Sequence, residues 1–144
     1  MKIVVIDGQG GSIGKTIIEQ LKKQTPGIEI TAIGTNSIAT STMRKAGADL
    51  SATGENPILL ACETADIIVG TIGIVIANSL LGEITPAIAS AVGKSRAQKV
   101  LVPNNKCRVS IAGVQDIPMG EAIEIAVGCV LKMIRGDARL TVEH

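Results

Sequence analysis

Residues 7–16 read DGQGGSIGKT, with four glycines between positions 8 and 14. Glycine lets a chain turn sharply and bring its backbone close to a ligand, so the N–H groups here can face an anion without side chains in the way. If the segment joins a strand to a helix, the positive helix end adds to the attraction and the natural ligand is a phosphate. The expected contacts are Gly8, Gln9, Gly10, Gly11, Ser12, Ile13, Gly14 and Lys15. Asp7, just before the turn, would either brace the loop through its N–H groups or hold a metal–phosphate complex, and bracing is the commoner role. Aligned on Gly14, the dinucleotide pattern G-x-G-x-x-G finds Gly11 but meets Gln9 in place of its first glycine. The P-loop pattern, which would use Lys15 and Thr16, fails at the same residue.

Other chemistry-bearing residues lie where further strands should end. Gly34, Thr35, Asn36 and Ser37 stand about where an acidic residue would hold the ribose of NAD. Hydroxyls, an amide and a helix start in its place would accept a phosphate, which leans toward NADP over NAD or toward another phosphorylated ligand. Thr71 and Gly73, in GTIG, would pass a ribose or a second phosphate. Glu83 lies in an apolar stretch that would raise its pKa toward the range useful in acid–base work, and it is the candidate catalytic residue. The alternative is that it serves the helix start at Thr85. Cys107, between Lys106 and Arg108, reads as a turn thiol, because the only histidine is His144 and a catalytic cysteine usually needs a base. The same shortage removes Ser-His-Asp and multi-histidine metal chemistry, and no metal site is expected.

Composition narrows the partners. The 144 residues are 46% apolar, enough for one domain over 1–144 with a substantial core. Fourteen Lys and Arg against 13 Asp and Glu give a net charge of +1, with no basic footprint for nucleic acid or anionic lipid. Without Phe, Trp or Tyr, a bound base must lie between aliphatic side chains. Three unpaired-looking cysteines and no signal peptide before Met1 lead us to expect a cytoplasmic protein without disulfides. Residues 67–93 are almost uncharged, but Glu83, Asn78, Pro86 and several glycines argue against a membrane span. We read them as strand, turn and buried helix, with a subunit interface and a homo-oligomer expected.

The elements that must position these groups follow from apolar periodicity. KIVVID (2–7), IEITAIG (28–34), ADIIVGTIG (65–73) and KVLVP (99–103) read as buried strands, with a short edge strand in 48–53. Helices are predicted from about 13 to 24 with Ser12 as N-cap, from Asn36 or Ser37 toward Gly47, from Asn56 with Pro57 in the first turn to Thr64, from Thr85-Pro86 to residues 93–96, and after Asp116 and Pro118. After the turn NNKC, RVSIAGV (108–114) follows too closely for a helical crossover and predicts an antiparallel hairpin. The fold class expected is α/β, a Rossmann-like doubly wound, mostly parallel sheet of five or six strands with that C-terminal hairpin pair.

Two resemblances bear on this reading. DGQGGSIG is similar to the T-G-x-x-x-G-I-G loop of short-chain reductases, with Gly8, Ile13 and Gly14 in place and Ser12 at the middle glycine, but that family's Tyr-x-x-x-Lys is impossible in a chain without tyrosine. DGQGGSIGK, GTNSIATSTMRKAGA, ATGEN, ADIIVGTIGIVIANSLLGEITP and VLVPNNKC together resemble an uncharacterised family of small Rossmann-like proteins from anaerobic bacteria. That resemblance implies the fold and brings no activity or catalytic residue. The function expected is binding of a small phosphorylated ligand, a nucleotide or a dinucleotide such as NADP(H) or NAD(H), by a sensor or accessory protein. The alternatives are a small redox or group-transfer enzyme using Asp7, Lys15 or Glu83, and an interaction module whose loop is empty.

Overall fold

The structure, a computed structural model, describes residues 1–104 and 108–136. In chain order they form β1 (Ile3–Asp7), α1 (Ser12–Gln24), β2 (Ile30–Gly34), α2 (Ser37–Lys45), β3 (Leu50–Thr53), α3 (Glu55–Thr64), β4 (Ile67–Thr71), a 3-10 turn (Ile72–Val75), α4 (Pro86–Lys94), β5 (Gln98–Val102) and α5 (Met119–Ile134). The five strands make one parallel sheet in the order β3-β2-β1-β4-β5. This is the doubly wound Rossmann-like arrangement that the alternation of β-branched runs and amphipathic helices predicts.

Successive β1 residues point to opposite faces. Ile3 and Val5 pack with Ile17, Ile18 and Leu21 of α1, Met43 of α2, and Ile123, Val127 and Val130 of α5. Val4 and Ile6 pack with Ile58 and Cys62 of α3 and with Ile88 and Val92 of α4. Each fully buried isoleucine contributes about 1.5–3 kcal/mol relative to its exposed state. The strand order reverses between β1 and β4, which opens a crevice at their carboxyl ends, the place where such sheets bind ligands.

Several boundaries follow the predicted caps. Asn36 caps α2, accepting the Ala39 N–H at 2.9 Å, and Thr85 caps α4, accepting that of Ile88 at 3.2 Å, with Pro86 in the first turn. Elsewhere glycine takes over. Gly11 rather than Ser12 is the N-cap of α1, and Gly54 opens α3 at Glu55, ahead of the Asn56-Pro57 start that the sequence suggests. β4 ends at Thr71 instead of Gly73, because Ile72–Val75 coils into the 3-10 turn.

The predicted antiparallel hairpin is corrected. Residues 108–114 form no strand, all are exposed, and Val114 N–H closes a turn on the Ile111 carbonyl. A spacing too short for a helical crossover was the signal, but the segment pairs with no sheet edge, and the described sheet is entirely parallel. Of NNKC, Asn105, Lys106 and Cys107 lie outside the described residues, as does His144. Residues 67–93 become β4, the 3-10 turn, a run of turns and α4, and no helix among the described residues is long and apolar enough to cross a membrane.

Candidate functional site

β1 carries Asp7 into the crevice with 7% of its surface exposed. The carboxylate turns back on the loop: Oδ1 accepts the Gly8 N–H at 2.8 Å and Oδ2 that of Gly14 at 2.7 Å. Asp7 therefore braces both ends of the turn. Burial pushes its pKa up, the Gly14 and Gly8 hydrogen bonds work against that, and the charge of Glu83 adds to the rise.

Gln9 adopts φ +49, in the left-handed region that favours glycine. A residue with a Cβ holds that conformation at a cost of about 1–2 kcal/mol. Gly11 has no such latitude: at φ +75, a Cβ would lie 2.8 Å from the Ala39 carbonyl oxygen of α2.

The side chain that closes one flank of the loop comes from far along the chain. Glu83 Oε1 accepts the Gln9 N–H at 2.9 Å, the Thr35 hydroxyl at 2.6 Å and an Asn36 Nδ2 hydrogen at 2.7 Å. Asn36 Nδ2 also donates to the Gln9 carbonyl at 3.0 Å. Asn78, Leu80, Leu81 and Gly82, all at positive φ, carry the chain to this point. The expected rise in the Glu83 pKa is corrected: burial does push it up, but the hydrogen bonds from Thr35, Gln9 and Asn36 outweigh burial and hold it below the usual value. Its carboxylate reaches away from the α4 start, where Thr85 supplies the cap. Thr35 and Asn36 are brought into the site, and Ser37 is exposed on the first turn of α2.

Thr71, at the end of β4, is 2% exposed, and its Oγ1 has no hydrogen-bond partner among the described residues. It lines a hollow of about 80 Å³ with Asp7, Gly8, Gln9, Gly10, Gly11, Ser12, Ile13, Leu80 and Asn104. Gly73 is not part of this lining; its carbonyl accepts the Ser79 hydroxyl. Lys15 is absent from it too, lying half exposed on α1, 4.0 Å from Glu19. Among the described residues no lysine or arginine lines the hollow; beside the Asp7 carboxylate, an anion there meets the Ser12 and Thr71 hydroxyls, loop N–H groups and the positive end of α1.

Sequence reasoning missed what lies beyond. Asn104 also borders a second cavity of about 520 Å³, lined by Val109, Ile111, Val114, Ile117 and Ala122, with Asp116 the one charged side chain among the described residues that line it. The signal available was position, since Asn104 follows the end of β5 and strand ends carry the ligands of such sheets.

Among solved structures, the chain is similar in fold to a protein described as a dodecameric FMN-dependent UbiX-like decarboxylase from Escherichia coli O157:H7. The TM-score is 0.51 at 18% identity, with 94% of this chain and 95% of that one covered. The likeness is one of fold. No curated protein matches the sequence. The NADP or NAD expectation is overturned on both counts. The protein of similar fold depends on FMN, and Glu83 places a carboxylate on Thr35 and Asn36, where the local sequence had left room for a phosphate. The expected uncharacterised family is borne out, without a nicotinamide cofactor or an anaerobic source attached to it. The family described as "Domain of unknown function (DUF3842)" matches residues 2–135, nearly the whole length, and the chain belongs to it.

Proposed function

We propose that the protein binds a phosphorylated ligand of the flavin mononucleotide class, with the phosphate in the hollow between the loop and Thr71 and the ring in the adjoining cavity. The buried, unpartnered Thr71 hydroxyl carries this reading. An unsatisfied buried hydroxyl costs about 1–3 kcal/mol, and a phosphate oxygen in the hollow recovers it. The larger cavity, of about 520 Å³, is of the size of small-molecule sites, its lining mixes aliphatic with polar side chains, and it shares Asn104 with the hollow. The match over residues 2–135 supports one domain. A homo-oligomer belongs to the same reading, supported by Leu81, which stands 97% exposed, and by the dodecameric protein of similar fold.

The test is a titration with FMN and with riboflavin, which lacks the phosphate. The chain has no aromatic residue, so flavin absorption and fluorescence are read without protein background. FMN is expected to bind at least ~10-fold more tightly than riboflavin, the worth of about 1.4 kcal/mol of phosphate contacts. Thr71→Val removes the orphan hydroxyl, so the free protein should become about 1–3 kcal/mol more stable while FMN binding weakens. No FMN binding, or equal binding of the two flavins, would sink the reading.

A further inference from the structure

A ligand phosphate held in the hollow is flanked by the β2 end on one side and the β5 end on the other, with the exposed Gln9, Gly10 and Ser12 facing outward. We propose that Glu83 closes the β2 side, making the site one-sided, so that the protein selects mononucleotides over dinucleotides. This rests on the phosphorylated-ligand reading above.

On the β2 side the structure is tied shut. A single carboxylate oxygen of Glu83 gathers the Gln9 N–H, the Thr35 hydroxyl and the Asn36 amide, at 2.9, 2.6 and 2.7 Å. Asn36 is also bonded to the Gln9 carbonyl at 3.0 Å, so loop and strand end are joined twice. Even the space beneath is closed: a Cβ on Gly8 would lie 2.7 Å from Thr35 Oγ1 and 3.2 Å from Glu83 Oε1. The second phosphate and nucleoside of a dinucleotide would have to break these bonds and pass a like charge. On the β5 side Asn104 lines both the hollow and the larger cavity, where Val109, Ile111, Val114 and Ile117 offer aliphatic surface to a planar ring. The ligand therefore runs from the loop toward β5 and stops at its single phosphate.

FMN and FAD carry the same ring and differ by the second nucleotide, so they make the test. Binding of each to the full chain is followed by flavin fluorescence, for the native protein, for Glu83→Ala and for Glu83→Gln. The native protein should prefer FMN by at least ~10-fold. Glu83→Ala should bring the two ligands within about 3-fold of each other. Glu83→Gln, which keeps an oxygen for the three donors but removes the charge, should fall between and serves if the alanine variant does not fold. Equal binding of FMN and FAD by the native protein would overturn the one-sided site and leave the proposed function standing. An FMN preference that neither variant changes would also overturn it, by removing Glu83 as the cause. If neither flavin binds, the proposed function and this inference fall together.

Discussion

Glu83 shows what a residue can conceal in a sequence. Its neighbours are apolar, and from them alone a raised pKa follows. Its actual partners stand 47, 48 and 74 positions away, and they supply three donors to one oxygen. The loop itself was legible because its interactions are local: Asp7, Gly8 and Gly14 find one another within seven residues. Gln9 was half legible, since it breaks the glycine pattern yet holds a left-handed conformation that favours glycine. The opposed pKa shifts of the two carboxyls make a checkable acid response. Glu83 is depressed below an ordinary 4.5, so the stability it adds is complete above that value and is lost as pH falls through its folded pKa. Asp7 is raised above an ordinary 3.8, so its term is favourable below that value and is lost as pH rises through its folded pKa. Thermal unfolding followed across the acid range should therefore show Glu83→Gln losing less stability than the native chain below the ordinary glutamate value. Parallel curves for the two proteins would contradict this.

At the level of elements, strands and caps were legible where the signal was chemical and local. β-branched runs between glycines announced four buried strands, and Asn36 and Thr85 announced two helix starts. What misled was pattern without a partner. RVSIAGV has the composition of a strand, but it pairs with no edge of the sheet, and a strand exists only through its ladder. The positive-φ run before Glu83 was equally hidden, because leucine is a poor left-handed residue and nothing in LLGE announces the conformation. Leu81 holds φ +57 while almost wholly exposed, so its side chain repays little of that cost. Leu81→Gly should stabilise the protein by about 1 kcal/mol, as measured by chemical denaturation. A loss of stability would show that the side chain is held by contacts with another subunit.

For the whole molecule, the alternation of strands and helices made the doubly wound sheet readable, and the strand-end rule placed the crevice between β1 and β4. The ligand class was not readable in the same way. It depends on which flank of the loop is open, and that is decided by segments distant in the chain. Charge balance adds a prediction at this scale. The net charge is +1 and no cation among the described residues lines the hollow, so neither long-range steering nor an ion pair from those residues supports binding. FMN affinity should change by less than about 3-fold between low and high salt, over a range where the Debye length falls from about 10 Å to 3 Å. A steep fall would mean that a lysine or arginine reaches the ligand.

Asp7 joins the N–H groups at both ends of the glycine turn, and this closes residues 8–14 into a ring without a covalent bond. Seven residues rich in glycine would otherwise sample many shapes, and a ligand would have to freeze them on arrival. Here that loss of freedom falls on folding, before any ligand is met. The hollow is therefore preorganised, and a small anion can bind there without a conformational penalty of its own.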